Sequence, residues 1–150
     1  MKEALIQIIS GFVGTVGFAI IVNIRGKRFL FTALGGLGAW ALYLLLGMVL
    51  PGEPIRYFLV ALVICIYSEI MARVLKTPTS TFLTTALISL VPGGSLYYTM
   101  SHALMGDYSS FFTRGIHTLK LASALALGII VAMSAVKLIR RIGARRKEKQ

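Results

Sequence analysis

Apolar residues fill this chain in five long blocks, divided by short polar turns. Four blocks are continuous: Ala4 to Asn23, Phe29 to Leu50, Ile55 to Leu75 and Leu119 to Ile139. A fifth runs from Ser80 to Ser101 and is interrupted by Ser89-Leu90-Val91-Pro92-Gly93-Gly94. Each block is close to the ~20 residues that a helix needs to cross the hydrocarbon core. The pattern predicts an all-α integral membrane protein with five transmembrane helices over residues 1–139, followed by a basic cytoplasmic tail over 140–150. The fourth helix is predicted to be broken. Pro92 has no N–H for the carbonyl of Ile88, and its ring clashes with that turn. Gly93 and Gly94 favour non-helical torsions. In hydrocarbon every freed backbone group needs a partner, so such a break is expected to have a purpose. Broken helices near the membrane midplane are where secondary transporters hold substrate.

Composition agrees with a membrane domain. Hydrophobic residues make up 57% of the chain, the mean hydropathy is +0.82, and only 14% of residues are charged. An average soluble protein carries roughly 25% charged residues. The first block is only mildly hydrophobic, but Glu3 accompanies Lys2 and no small-x-small cleavage site precedes Arg25-Gly26-Lys27-Arg28. It therefore reads as a span rather than a signal peptide. Small residues at Gly35, Gly36, Gly38 and Ala39, and at Ala124, Gly128 and Ala132, predict close helix packing. Most aromatic residues near span ends read as interface anchors, while Trp40 is deep enough to be a packing residue. Cys65 is the sole cysteine, and His102 and His117 lack cysteine or carboxylate at ligand spacing. No metal site, cofactor or catalytic nucleophile–base pair is implied, and an enzyme is not expected.

Charge sets an orientation. Of the 16 basic residues, 12 fall on one side of the five-span scheme: Arg25, Lys27, Arg28, Arg73, Lys76, Lys137, Arg140, Arg141, Arg145, Arg146, Lys147 and Lys149. The positive-inside rule then puts the N-terminus outside and the tail in the cytoplasm, with Gly106 to Thr118 as an outer loop. The net charge of +11 is thus topological. Anionic lipid is the expected partner of the tail, rather than nucleic acid.

Glu69 lies near the cytoplasmic end of the third span, and an intramembrane carboxylate marks an ion or proton pathway by default. Arg73 at i+4 could instead neutralise it while reaching the interface. The two readings are compatible, because an ion pair that exchanges its arginine for a proton or substrate couples the two. Thr81, Thr85 and Ser89 form one polar stripe along the fourth span, with Thr84 beside them. The stripe either lines a route to the break or makes hydrogen bonds within the bundle. The break would offer carbonyls on one side and N–H groups on the other, with Ser95 as a plausible N-cap. That polarity suits a zwitterion better than a dicarboxylate. Candidate substrate residues are Thr85, Ser89, Pro92, Gly93, Gly94 and Ser95, and candidate coupling residues are Glu69 and Arg73. A kink that binds no ligand remains the alternative.

The motifs Ser68-Glu69-x-x-Ala72-Arg73, Lys76-x-Pro78-x-x-Thr81-Phe82-Leu83, Leu90-Val91-Pro92-Gly93-Gly94 and Leu96-Tyr97-Tyr98-Thr99-Met100 resemble the small membrane subunit of the threonine/serine exporter family. Phe18-Ala19, Asn23 and Gly35 to Trp40 resemble its opening spans more loosely. Two departures stand out: Ser89 occupies a position where the family usually has proline, and the turn after Asn23 lacks the usual proline. The resemblance implies proton-driven export of small amino acids such as threonine and serine across a bacterial-type inner membrane. It also implies a second, larger membrane subunit, since fused members carry two five-span halves. Export of a small organic acid such as a dicarboxylate, or a non-transporting scaffold or regulatory role, stays open.

Overall fold

A computed structural model describes the backbone of residues 2–147 and the side chains of 5–142. Six helices form among these residues: α1 (Lys2–Ile21), α2 (Lys27–Val49), α3 (Glu53–Val74), α4 (Thr79–Ile88), α5 (Gly93–Leu104) and α6 (Tyr108–Lys147). Three segments are long and apolar enough to cross a membrane: Lys27–Val49, Glu53–Val74 and Tyr108–Ile142. The part of the tail at 148–150 lies outside the described residues.

Three of the turns are built alike. Asn23, Lys76 and Gly106 take positive φ of 59°, 48° and 75° just after α1, α3 and α5. At each, the next N–H reaches back to a carbonyl five residues earlier: Ile24 to Ala19, Thr77 to Ala72 and Asp107 to His102. This is the Schellman closure, which satisfies the orphan carbonyls of a helix end. Asn and Gly enter that conformation readily, whereas Lys76 does so at a cost of about 1 kcal/mol.

Helices α3 and α6 run parallel and form the spine. Glu53 Oε2 lies 3.2 Å from His117 Nε2 at one end, and Glu69 meets Arg140 at the other. Between them Gly128 lets the backbones touch, since a Cβ there would lie 2.7 Å from both Ala61 Cβ and the Phe58 carbonyl oxygen. Helix α2 packs on α1 through Gly36 against Thr15, and on α3 through Tyr67, whose hydroxyl donates to the Phe31 carbonyl at 2.7 Å. The buried core joins Ala39 of α2, Val60 and Ile64 of α3, Ala86 and Leu87 of α4, Leu90 just after α4, and Leu121 of α6. Helix α4 sits inside this bundle. Helix α5 leaves it and lies antiparallel on the start of α6, where Thr99 Oγ1 is 3.2 Å from Thr118 Oγ1.

The structure corrects two expectations. Residues 108–118 are helix, not loop, because Asp107 caps α6: its carboxylate accepts from Ser110 N at 3.1 Å and its carbonyl from Phe111 N at 3.0 Å. Capping aspartates satisfy N–H groups that the first helical turn cannot pair. Those Ser110 hydrogen bonds hold the Asp107 carboxyl below its ordinary range, with His102 adding to the effect. Gly93 and Gly94 are likewise helical, being the first residues of α5, with Pro92 rather than Ser95 as N-cap. Proline is well placed there, where no intrahelical N–H is needed.

Candidate functional site

Two polar regions stand out, and both begin with backbone geometry. At the junction of α4 and α5, the Ile88 carbonyl cannot receive an N–H from Pro92 and accepts instead from Val91 at 3.3 Å. Pro92, at φ −73° and ψ 56°, is the centre of a tight turn closed by Gly93 N to Val91 O at 2.6 Å. These angles are those of an inverse γ-turn. One carbonyl freed at the end of α4 is claimed from outside: Trp40 Nε1 donates to Ser89 O at 3.0 Å. Trp40 also packs against Gly11 and edge-on to Tyr43, with ring centroids 5.5 Å apart. The N–H groups of Gly94 and Ser95 lie in the first turn of α5, where a helix supplies no acceptor.

The candidate substrate residues do not converge on one cavity. Thr85 is buried and donates to its own helix at Thr81 O, 2.9 Å away, and Ser89 Oγ donates to Ala86 O at 3.1 Å. Thr85 opens with Thr81, Thr84 and Ser80 onto a cleft of about 230 Å³ against Phe18 and Val22 of α1. Ser89 opens with Gln7, Ser10 and Trp40 onto a second groove, of about 320 Å³. Ser95 opens onto a third, of about 470 Å³, with Ser109, Ser110, Thr113, Arg114 and His117 of α6. Pro92, Gly93 and Gly94 line none of these three grooves, and a Cβ at either glycine would meet open space.

The candidate coupling residues do come together. Glu69, with its side chain 7% exposed, accepts from Arg73 Nε at 3.0 Å one helical turn away. Two further partners come from other helices. Thr79 Oγ1 donates to Glu69 Oε2 at 2.9 Å from the start of α4, and Arg140 Nη2 donates to Glu69 Oε1 from α6. One carboxylate therefore ties three helices, and both guanidiniums bind the same oxygen. Charge-assisted hydrogen bonds of this kind are roughly twice as strong as neutral ones. Arg73 and Arg140 keep about half of their side chains exposed, so the pair is reachable from outside the bundle. Sequence spacing could reveal Arg73 but not Thr79 or Arg140, which lie 10 and 71 residues away. Spacing also missed that each histidine finds a carboxylate, His117 with Glu53 and His102 with Asp107 at 3.5 Å.

The family model described as Threonine/Serine exporter, ThrE matches residues 7–135, most of the chain. The chain belongs to the threonine/serine exporter family. This is a transporter family, in keeping with the long apolar helices. No curated protein and no solved structure matches the chain. The exporter match spans Glu69, Arg73, Thr79 and the α4–α5 junction but ends before Arg140. The second guanidinium on Glu69 thus lies outside the matched segment.

Proposed function

We propose that this chain is one half of a proton-coupled exporter of small amino acids such as threonine and serine, completed by a second, larger membrane subunit. The observation that carries the reading is Glu69, a buried carboxylate whose partners come from α3, α4 and α6. A proton on Glu69 removes the charge that both guanidiniums share. It thereby loosens α6 and α4 from the end of α3, so a protonation event becomes a change in helix packing. A proton taken up on one side and released on the other couples that change to the proton gradient.

The substrate is held at the α4–α5 junction. Helices α4 and α5 have 10 and 12 residues, about 15 and 18 Å, so neither alone crosses a ~30 Å core but the two in series do. Counted so, the chain has five spans in a bacterial-type inner membrane, with the N-terminus outside and the C-terminus cytoplasmic. The basic residues support that orientation, since Arg73, Lys137, Arg140 and Arg141 gather at the Glu69 end. Three shallow grooves in place of one cavity support the need for a companion, whose surface would close them. A companion with inverted topology would supply the second half of a midplane site. Export of a dicarboxylate is the second reading, favoured by the Arg114 guanidinium in the Ser95 groove.

The test is efflux from proteoliposomes preloaded with threonine, serine or a dicarboxylate. The chain alone gives no flux, and the chain with its companion gives proton-driven threonine and serine flux. Robust flux from the chain alone overturns the two-subunit reading, and flux of the dicarboxylate alone selects the second one.

A further inference from the structure

Beside Glu69 a groove of about 330 Å³ runs along the flank shared by α3 and α6. Its walls are aliphatic: Ile66, Ile70 and Val74 from α3, Val136 and Ile139 from α6. Its charged lining comes from Glu69 and Arg73, interleaved with those aliphatic residues on α3. A second groove, of about 570 Å³, lies on another face of α6 and is lined by Lys137, Arg140 and Arg141 with Ser134 and Leu138. Arg140 connects the two, because it lines the second groove and donates to Glu69, which lines the first.

The charges in this corner do not balance. Glu69 is one carboxylate against Arg73, Arg140, Lys137 and Arg141. The other carboxylates among the described side chains, Glu53 and Asp107, pair with His117 and His102 at the opposite end. Each guanidinium has five N–H donors, and one donor from each is spent on Glu69. Donors for a second anion remain, on side chains that are 56% and 52% exposed.

We infer that this corner holds one anionic phospholipid, its phosphate between Arg73 and Arg140 and one acyl chain along Ile66, Ile70, Val136 and Ile139. An oxyanion alone would account for the cations but not for the aliphatic groove in which they sit. An apolar segment alone would account for the groove but not for the surplus charge. A phospholipid presents both chemistries at this spacing, and the groove opens sideways, where Ile70 and Ile139 are exposed. The assignment differs from general attraction of a basic tail to a charged surface, because it fixes one lipid between two named helices. It also stands whether or not the chain transports anything. The consequence is competition: a phosphate that recruits either guanidinium takes it from Glu69, so lipid charge sets how tightly α6 is held to α3.

Native mass spectrometry of the full chain in detergent tests this. Phosphatidylglycerol and phosphatidylcholine with identical acyl chains are the probes. The wild type should retain phosphatidylglycerol preferentially. Arg140→Gln should reduce that preference about fivefold, the loss expected for one basic residue facing an anionic headgroup. Val136→Trp should also reduce it, by filling the groove without altering charge, and Lys120→Gln, remote from the corner, should not. Equal retention of the two lipids would overturn the inference. So would an unchanged preference in either Arg140→Gln or Val136→Trp, or displacement of phosphatidylglycerol by soluble glycerol 3-phosphate.

Discussion

The Glu69 corner and the α4–α5 junction are both polar interruptions in apolar helices, yet they are built in opposite ways. Glu69 is held by Arg73, Thr79 and Arg140, so moving any one of three helices disturbs it. The junction is tied to the bundle by Leu90 in the core and by one hydrogen bond, the Trp40 indole on Ser89 O, and its glycines face open space. One region is cross-linked and finished within this chain. The other exposes three separate grooves and has hydroxyls that point back to their own helix. The contrast teaches that the part proposed to sense a proton is cross-linked within this chain, while the part proposed to hold substrate is open to another surface.

The largest effect expected is from Glu69→Gln. Glutamine keeps an acceptor for Thr79 but carries no charge and cannot take up a proton. Threonine efflux from cells should fall to background with the protein still present in the membrane. Arg73→Lys should be milder, because a lysine retains the charge while losing the guanidinium geometry. Normal efflux in Glu69→Gln would reduce the corner to a structural clamp and remove one side of the comparison.

Next comes the junction. Proline and glycine cost about 3 and 1 kcal/mol relative to alanine inside a helix, so a Pro92→Ala, Gly93→Ala double substitution should extend helical structure across the turn. No steric penalty opposes it at Gly93. Protein levels should hold or rise, while export falls through weakened apparent substrate affinity. Unchanged affinity would make the junction a kink that binds nothing.

Gly128→Leu addresses the spine rather than either site. A side chain there meets Ala61 and the Phe58 carbonyl, and overpacking of this sort costs about 1–3 kcal/mol. Thermal unfolding in detergent should shift down accordingly. Since α6 would be pushed from α3, the Arg140 contact should weaken while the Arg73 contact within α3 survives.

The smallest effect concerns Asp107. Its carboxyl is held below the ordinary carboxylate range by Ser110 at the start of α6. A lowered folded-state pKa contributes stability that is present above the unfolded value and lost as pH falls through the folded one. Asp107→Asn should therefore melt slightly lower than wild type at neutral pH, and the two should converge in acid. A difference that does not change with pH would show that the cap acts without its charge.

Much of this arrangement was legible in the chain. Five apolar blocks correspond to helical segments, and the interruption at Pro92 falls between α4 and α5. Glu69 with Arg73 follows from helical spacing alone, as an i, i+4 pair must share a face. Arg140 did not follow, because its approach depends on α3 and α6 running parallel with Gly128 between them, a tertiary fact with no local signature. The helix over 108–118 was hidden by its polar composition, and only the Asp107-to-Ser110 cap explains where it starts. Trp40 read correctly as a packing residue, but its hydrogen bond to a carbonyl 49 residues away could not be inferred. Local periodicity sees faces and breaks, and it is blind to which distant elements meet there.

The central claim is that Glu69 carries the proton that drives transport. Its most direct test is proton flux in proteoliposomes containing the chain and the proposed companion subunit, recorded as threonine moves down its own gradient. Wild type should show proton movement that starts and stops with threonine, and Glu69→Gln should show none even where some threonine still leaks through. Threonine-dependent proton flux of wild-type size in Glu69→Gln would contradict the account and place the proton route elsewhere.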